Sequence, residues 1–357
     1  MDNIVYESFI RGLLMVWEYL ELHTMTCLVP AFFIAGAIAV MVSKESVLKY
    51  LGAGANKIAS YTVAAVSGTI LAVCSCTVLP LFAGIYKRGA GIGPAVAFLF
   101  SGPAINVLAI VFTARILGFE IGFARAVAAI SMSVVIGLIM AAIFRKEDVQ
   151  RKEMKIIETP KAQRPAYVTP LFFASLVAIL LVGASGAIAI VPKLVALYFL
   201  TVAILLLLFF FYTRDEAKQW GYESFDLAKK VFPLLLAGVF VSGILFGEPG
   251  KGTGLVPPEW IAWAVGGNSI LANFFASVVG AFMYFGTLAE VPILQGLMNS
   301  GMGQGPALAL LLSGPSLSLP SIIVLGRIFG AKKTAVYVSL VIVISTITGF
   351  VFGAVVG

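Results

Sequence analysis

The feature that most constrains this chain is a succession of long apolar runs separated by short polar ones. Ten stand out, at roughly 25–42, 60–86, 93–114, 122–144, 168–190, 194–213, 231–247, 259–286, 305–325 and 334–356. A helix needs about 20 apolar residues to cross a hydrocarbon core about 30 Å thick. In lipid only helices and closed barrels satisfy every backbone N–H and C=O. Barrel strands are short and alternating, whereas these runs are long and continuous. The expectation is an all-α polytopic membrane protein of about ten transmembrane segments. Composition agrees: 60% of the 357 residues are hydrophobic and 11% are charged, too few to cover a soluble fold of this length.

The formal net charge of +7 would suggest nucleic acid in a soluble protein. Here it reads as basic loops at an anionic membrane surface, and no basic face with interleaved aromatics points to nucleic acid. The stretch Arg145 to Arg164, RKEDVQRKEMKIIETPKAQR, holds seven basic and four acidic residues. It reads as a solvated linker that is cytoplasmic by the positive-inside tendency. The expected organisation is an amphipathic interfacial segment at 1–24, a first transmembrane repeat at 25–144 and the linker at 145–167. Two connecting helices at 168–213, a loop at 214–230 and a second repeat at 231–357 complete it. An even number of spans would put both ends of the chain on the linker side, in a multi-pass protein of the cell membrane.

An internal repeat sharpens this picture. At an offset of 212 positions, Gly68 to Gly118 aligns without a gap on Gly280 to Gly330, with 17 of 51 positions identical. Pro80 falls on Pro292, Gly84 on Gly296, Gly93-Pro94 on Gly305-Pro306, Ser101-Gly102-Pro103 on Ser313-Gly314-Pro315, and Arg115 on Arg327. Internal repeats are a signature of secondary transporters, whose sites lie at the repeat interface. Six apolar segments lie between equivalent points, which gives the halves the same orientation. A re-entrant segment among the proline-broken ones would invert one half instead.

Proline inside a helix removes the bond to residue i−4. Pro80, Pro103, Pro292 and Pro315 therefore free the carbonyls of Cys76, Leu99, Leu288 and Leu311, so each half is expected to carry two interrupted segments. Unwound backbone at membrane depth belongs where it lines a cavity or is buried in protein. The sequence AVCSCTVLP sets Cys74 and Cys76 beside the Pro80 break. In a regular helix residues i and i+2 point about 200° apart; at a break both thiols can converge on one soft, thiophilic ligand. A closed zinc site takes four ligands, and the one histidine, His23, is remote. Cys27, alone on its run, reads as a small buried hydrophobe. No cofactor is expected.

In the second half Gly286 and Leu288 replace the cysteines, while Glu290 in GTLAEVP stands where the first half has Val78. An intramembrane carboxylate is a functional candidate because burying its charge is costly, which makes proton coupling at Glu290 an expectation. The candidate substrate-binding set is Cys74, Cys76, Thr77, Pro80, Ser101, Gly102, Pro103, Asn106, Thr287, Pro292, Ser313, Gly314 and Pro315. Asn268 and Asn273 are weaker polar candidates, and Arg115 and Arg327 read as segment ends that snorkel.

The stretches CSCTVLPLFAGIYKRGAGIGPAVAFLFSGPAIN and GTLAEVPILQGLMNSGMGQGPALALLLSGPSLSLPS resemble the predicted-permease family that includes bacterial efflux permeases for methylated trivalent arsenic. The resemblance covers roughly 28–144 and 231–356. It implies capture of a soft trivalent species by cysteines, which map onto Cys74 and Cys76. The expected function is thus a secondary transporter exporting a thiol-reactive small molecule or metalloid. The competing reading is a membrane thiol–disulfide relay serving a thioredoxin-like partner through mixed disulfides; a channel or scaffold with incidental cysteines is a third. No G-x-x-x-x-G-K-[ST] loop occurs for nucleotide hydrolysis, and no nucleophile–base–orienter set is visible.

Overall fold

The computed structural model describes residues 2–21, 28–41, 50–52, 55–71, 75–105, 107–148, 165, 167–184, 189–246, 264–283, 290–299 and 301–356. Among them the regular structure is helical. The helices are α1 (Asp2–Tyr19), α2 (Val29–Met41), α3 (Lys57–Leu71), α4 (Ser75–Lys87), α5 (Ile92–Ala104), α6 (Val107–Ile116), α7 (Phe119–Ile143), α8 (Val168–Ala184), α9 (Ile190–Phe211), α10 (Arg214–Phe246), α11 (Ile270–Phe282), α12 (Glu290–Asn299), α13 (Gln304–Ser316), α14 (Leu319–Phe329) and α15 (Ala331–Val356). Four of the described helices, α7, α9, α10 and α15, are long and apolar enough to cross a membrane; the bent pairs α5–α6 and α13–α14 raise this to six. α9 leaves Ile190, Tyr198, Phe199, Phe209 and Phe210 largely exposed, a surface suited to lipid and not to water. The chain is an all-α polytopic membrane protein.

Several apolar runs are divided. Run 60–86 becomes α3 and α4, 93–114 becomes α5 and α6, and 305–325 becomes α13 and α14. The stretch 214–230, expected to be a loop, is instead the first half of α10. Its start is a capping box: the Thr213 hydroxyl accepts from the Glu216 N–H at 3.2 Å, and the Glu216 carboxylate accepts from the Thr213 N–H at 3.0 Å.

Two regions are hairpins that return to the face they entered: α3–α4, from the run 60–86, and α11–α12, whose second arm follows the run 259–286. Gly91 N–H donates to Leu51 C=O at 2.7 Å, so the residues before α3 and after α4 lie together. Likewise Met302 bridges Gly266 and Gly267, joining the residues before α11 and after α12. The four arms have 15, 13, 13 and 10 residues. At 1.5 Å per residue they reach roughly 15–22 Å, short of a core about 30 Å thick.

The hairpins open on opposite faces. Asp148, just past α7, accepts from Ile92 N–H through both carboxylate oxygens at 3.0 and 3.1 Å. The first hairpin therefore opens where α7 ends, at the linker face. Glu147 pairs with Lys333 at 2.5 Å, so α15 departs from the face at which α7 arrives. Asn268 donates to Phe350 C=O at 3.2 Å, so the second hairpin opens where α15 ends, at the opposite face. Corresponding helices thus run in opposite directions, the second of the two arrangements that the sequence leaves open. The run 60–86 turns back instead of crossing. For the same reason α15 ends opposite the linker, not beside it.

The helix frame recurs at the 212-residue offset: Ile92–Ala104 with Gln304–Ser316, and Phe119 with Ala331 as helix starts. Positive φ recurs at Gly89 and Gly301, and at Gly118 and Gly330. In both halves the hairpin's first arm and two further helices pack together, α3 with α5 with α7 and α11 with α13 with α15. Glycines allow that approach: a Cβ on Gly137 would lie 2.7 Å from Gly93 C=O, and one on Gly305 would lie 2.7 Å from Gly349 C=O. The halves meet at α5–α13, and each exchanges an arm with the other, α4 packing on α14 and α12 on α6. α10 braces the assembly, packing against α1, α2 and α14.

Candidate functional site

Helix ends converge inside the bundle. The hairpin arms α4 and α12 begin at their ends remote from their own faces, and the broken spans are interrupted between α5 and α6 and between α13 and α14. The bends are 45° and 47°. At each break the last helix turn closes identically: Ile105 N–H donates to Ser101 C=O at 2.9 Å, and Leu317 N–H to Ser313 C=O at 2.8 Å. The first turns of α4, α12 and α14 accordingly hold buried residues, Thr77, Glu290 and Pro320. Such helix starts carry unsatisfied N–H groups and a partial positive charge, and discontinuous helices of this kind form binding sites in membrane transporters.

The strongest electrostatic feature is a buried triad across the two halves. Arg125 of α7 donates through Nη2 to Glu290 Oε1 at 2.5 Å and through Nη1 to Thr113 Oγ1 of α6 at 2.8 Å. The side chains of Arg125 and Glu290 are 0% and 1% exposed. The Thr113 hydroxyl itself donates to Ala109 C=O at 2.6 Å. Among the described residues the buried Arg125 Nε and Glu290 Oε2 have no partner. The positions related to these by the 212-residue offset, each in the opposite half, are Val78, Leu325 and Tyr337, with Tyr337 donating to Ser316 C=O at 3.3 Å. The two halves share a frame, but the ion pair between them forms at only one of the two related places.

The sequence-derived candidates distribute as follows. Glu290 opens α12 and is buried. Cys74, Asn106 and Thr287 lie outside the described residues, as do Cys27 and His23. Cys76 is described in its backbone alone, at the first turn of α4, and Thr77 beside it is buried. Pro80 does not interrupt its helix: α4 runs unbroken through it from Ser75 to Lys87. The interruption lies upstream, and Pro80 sits in the helix that follows. Pro292 similarly falls in the first turn of α12, where its missing N–H removes no bond. Pro103 and Pro315 stand at the ends of α5 and α13, directly before the bends.

Ser101 and Ser313, with Gly102 and Gly314, are fully buried. The Ser101 hydroxyl donates to Phe98 C=O at 3.2 Å and approaches Ala64 C=O of α3 at 3.5 Å. Ser313 donates to Leu310 C=O at 3.4 Å and packs where Gly280 of α11 has no side chain. Both serines therefore tie a broken span to the first arm of its own hairpin. Asn273 donates to Asn268 at 3.0 Å near the opposite face, and Arg327 ends α14 at the linker face.

Sequence reasoning missed Arg125, Thr113 and Ser318. Arg125 had a signal: it lies on the stripe Ile121, Gly122, Arg125, Ala128, Ala129, Met132, which is the buried face of α7. Ser318, 212 positions after Asn106, caps α14 by accepting from Ser321 N–H at 3.3 Å. Among the described residues no group of three His, Cys, Asp or Glu stands placed to hold a metal ion.

Comparison with known proteins adds a family. One described as predicted permease matches residues 10–354. UPF0718 protein MJ0584 of Methanocaldococcus jannaschii is 47% identical over 367 residues, covering 97% of both chains. UPF0718 protein YraQ of Escherichia coli K12 is 25% identical over 280 residues, 78% of this chain and 63% of that one. No solved structure matches. With nearly its whole length matched, the chain belongs to the predicted-permease family.

Proposed function

We propose that this membrane permease is a secondary transporter of the cell membrane, built from two inverted repeats, that exports a soft, thiol-reactive solute such as a trivalent organoarsenical. The observation that carries the reading is the pair of hairpins inserted from opposite faces, each ending in different chemistry. In the sequence, Cys74 and Cys76 fall between α3 and the first turn of α4, and thiolates favour soft ligands. The second hairpin bears Glu290, locked to Arg125. Helices that run oppositely in the two halves supply two equivalent gates, one per face, as alternating access requires.

In this mechanism the cysteines capture the solute while the interrupted helices surround it. Glu290 is the coupling group: a proton that neutralises it releases Arg125, loosening the tie between α7 and α12. The next rearrangement of the halves then exposes the site to the other face. The catalytic alternative, a thiol relay, would need mixed disulfides with a dithiol protein.

Everted membrane vesicles test this with a panel of trivalent arsenicals and other soft metalloids. Accumulation that requires a proton gradient, and that is lost in both Cys74→Ser/Cys76→Ser and Glu290→Gln, is the expected result. Unchanged accumulation in the double serine variant would remove the cysteines from the mechanism. A trapped mixed disulfide with a thioredoxin-like protein, without flux, would replace transport by the relay.

A further inference from the structure

The two halves match in frame but differ in one place that bears on how a solute arrives. In the second half, α11 packs closely along α15, and Thr346 donates across that seam to Ser277 Oγ at 3.2 Å. The corresponding residues of the first half are Ala65 and Val134, which can form no such bond. There α3 stands apart from α7, and a cavity of about 670 Å³ fills the gap. It extends from Lys57 at the linker face past Thr62 and Val66 to Ile105 at the break between α5 and α6, with Ile130 and Val134 of α7 as its far wall. Val66 and Ile130 are about half exposed, so the cavity opens sideways, toward the surface that faces lipid. Tyr61 also lines it with its ring, while its hydroxyl is buried against Gly93.

We infer that the gap between α3 and α7 is a lateral port, admitting an uncharged, largely apolar solute from the bilayer to the broken helix α5. The walls select for this class. A charged or strongly hydrated solute would lose its water with little beyond the Thr62 hydroxyl and, at the mouth, Lys57 to replace it, whereas an apolar body gains by leaving water and fits walls of valine, isoleucine and alanine. Only the half whose sequence carries Cys74 and Cys76 is open. The closed seam at Ser277–Thr346 keeps the equivalent path in the other half shut. The inference deepens the transport reading and rests on it for its purpose, though not for its test.

The test reads access directly. In a chain with Cys27, Cys74 and Cys76 replaced by serine, Ile105→Cys places one thiol at the inner end of the port. In reconstituted full-length protein, its alkylation by an uncharged, lipid-soluble maleimide is compared with that by a charged, impermeant maleimide applied at either face. The lipid-soluble reagent should react at least tenfold faster, and adding Ala65→Trp should slow it about tenfold. Thr62→Trp, on the exposed wall of the same cavity, should slow it similarly should Ala65→Trp fail to fold. Equal rates for the two reagents, or no slowing in a folded tryptophan variant, would overturn the port. Loss of vesicle transport in the wild type would instead refute the permease reading and leave the labelling result standing on its own.

Discussion

Removing either member of the Arg125–Glu290 pair should cost far more than removing both. At 2.5 Å and an effective dielectric of about 20, the attraction is roughly 6–7 kcal/mol. Desolvating the two ions costs several kcal/mol each, so the pair as a whole is close to neutral against an apolar replacement. A single deletion keeps one desolvation cost and loses the attraction, at about 3–5 kcal/mol. The singles should also differ in order. Glu290→Met strands a guanidinium that cannot shed its proton, whereas Arg125→Met strands a carboxyl that can take one up. Glu290→Met should therefore be the more damaging, and the double Arg125→Met/Glu290→Met should recover most of the loss. Chemical denaturation of the purified protein in detergent micelles, arranged as a double-mutant cycle, gives the coupling energy. A coupling below about 0.5 kcal/mol would refute the reasoning, since two fully buried charges in contact cannot be independent.

Other consequences of the structure are open to direct measurement. In a cysteine-free background, Asn56→Cys beside the first hairpin and Gly266→Cys beside the second should react with an impermeant maleimide from opposite sides of the membrane; reaction from one side would disprove the inverted arrangement. Gly93→Ala and Gly305→Ala should each destabilise by about 1–3 kcal/mol, because the new methyl would strike the Tyr61 hydroxyl or the Asn268 side chain. Gly296→Ala, where nothing lies within 4 Å, should leave the thermal midpoint unchanged or slightly raised, since alanine suits a helix interior better. Asp148→Ala should cost about 0.5–2 kcal/mol by uncapping α5 and be detected in the same denaturation assay.

Glu290 was legible in the sequence because a lone carboxylate beside a proline in apolar surroundings has few uses. Arg125 was harder to read. Three residues into its run, it resembles a snorkelling end, and only Glu290, 165 positions away in the chain, turns it inward. Pro80 and Pro292 were read as breaks because their i−4 carbonyls lose a donor. The structure places both in the opening parts of helices, where the interruption has already occurred.

The amino-acid sequence alone determined the helical membrane class, since apolar runs of this length admit no other structure in lipid. It also determined the 212-residue frame, since glycine and proline are irreplaceable where the chain turns or crosses closely. It could not determine direction. A run of 27 residues such as 60–86 is long enough to cross and equally able to fold back, because hydropathy registers burial in lipid and not the sense of travel. Tertiary contacts, Gly91 on Leu51, Met302 on Gly266, Glu147 on Lys333, and Thr346 on Ser277, decided that two hairpins return, that the halves oppose, and that one seam is closed while the other stands open.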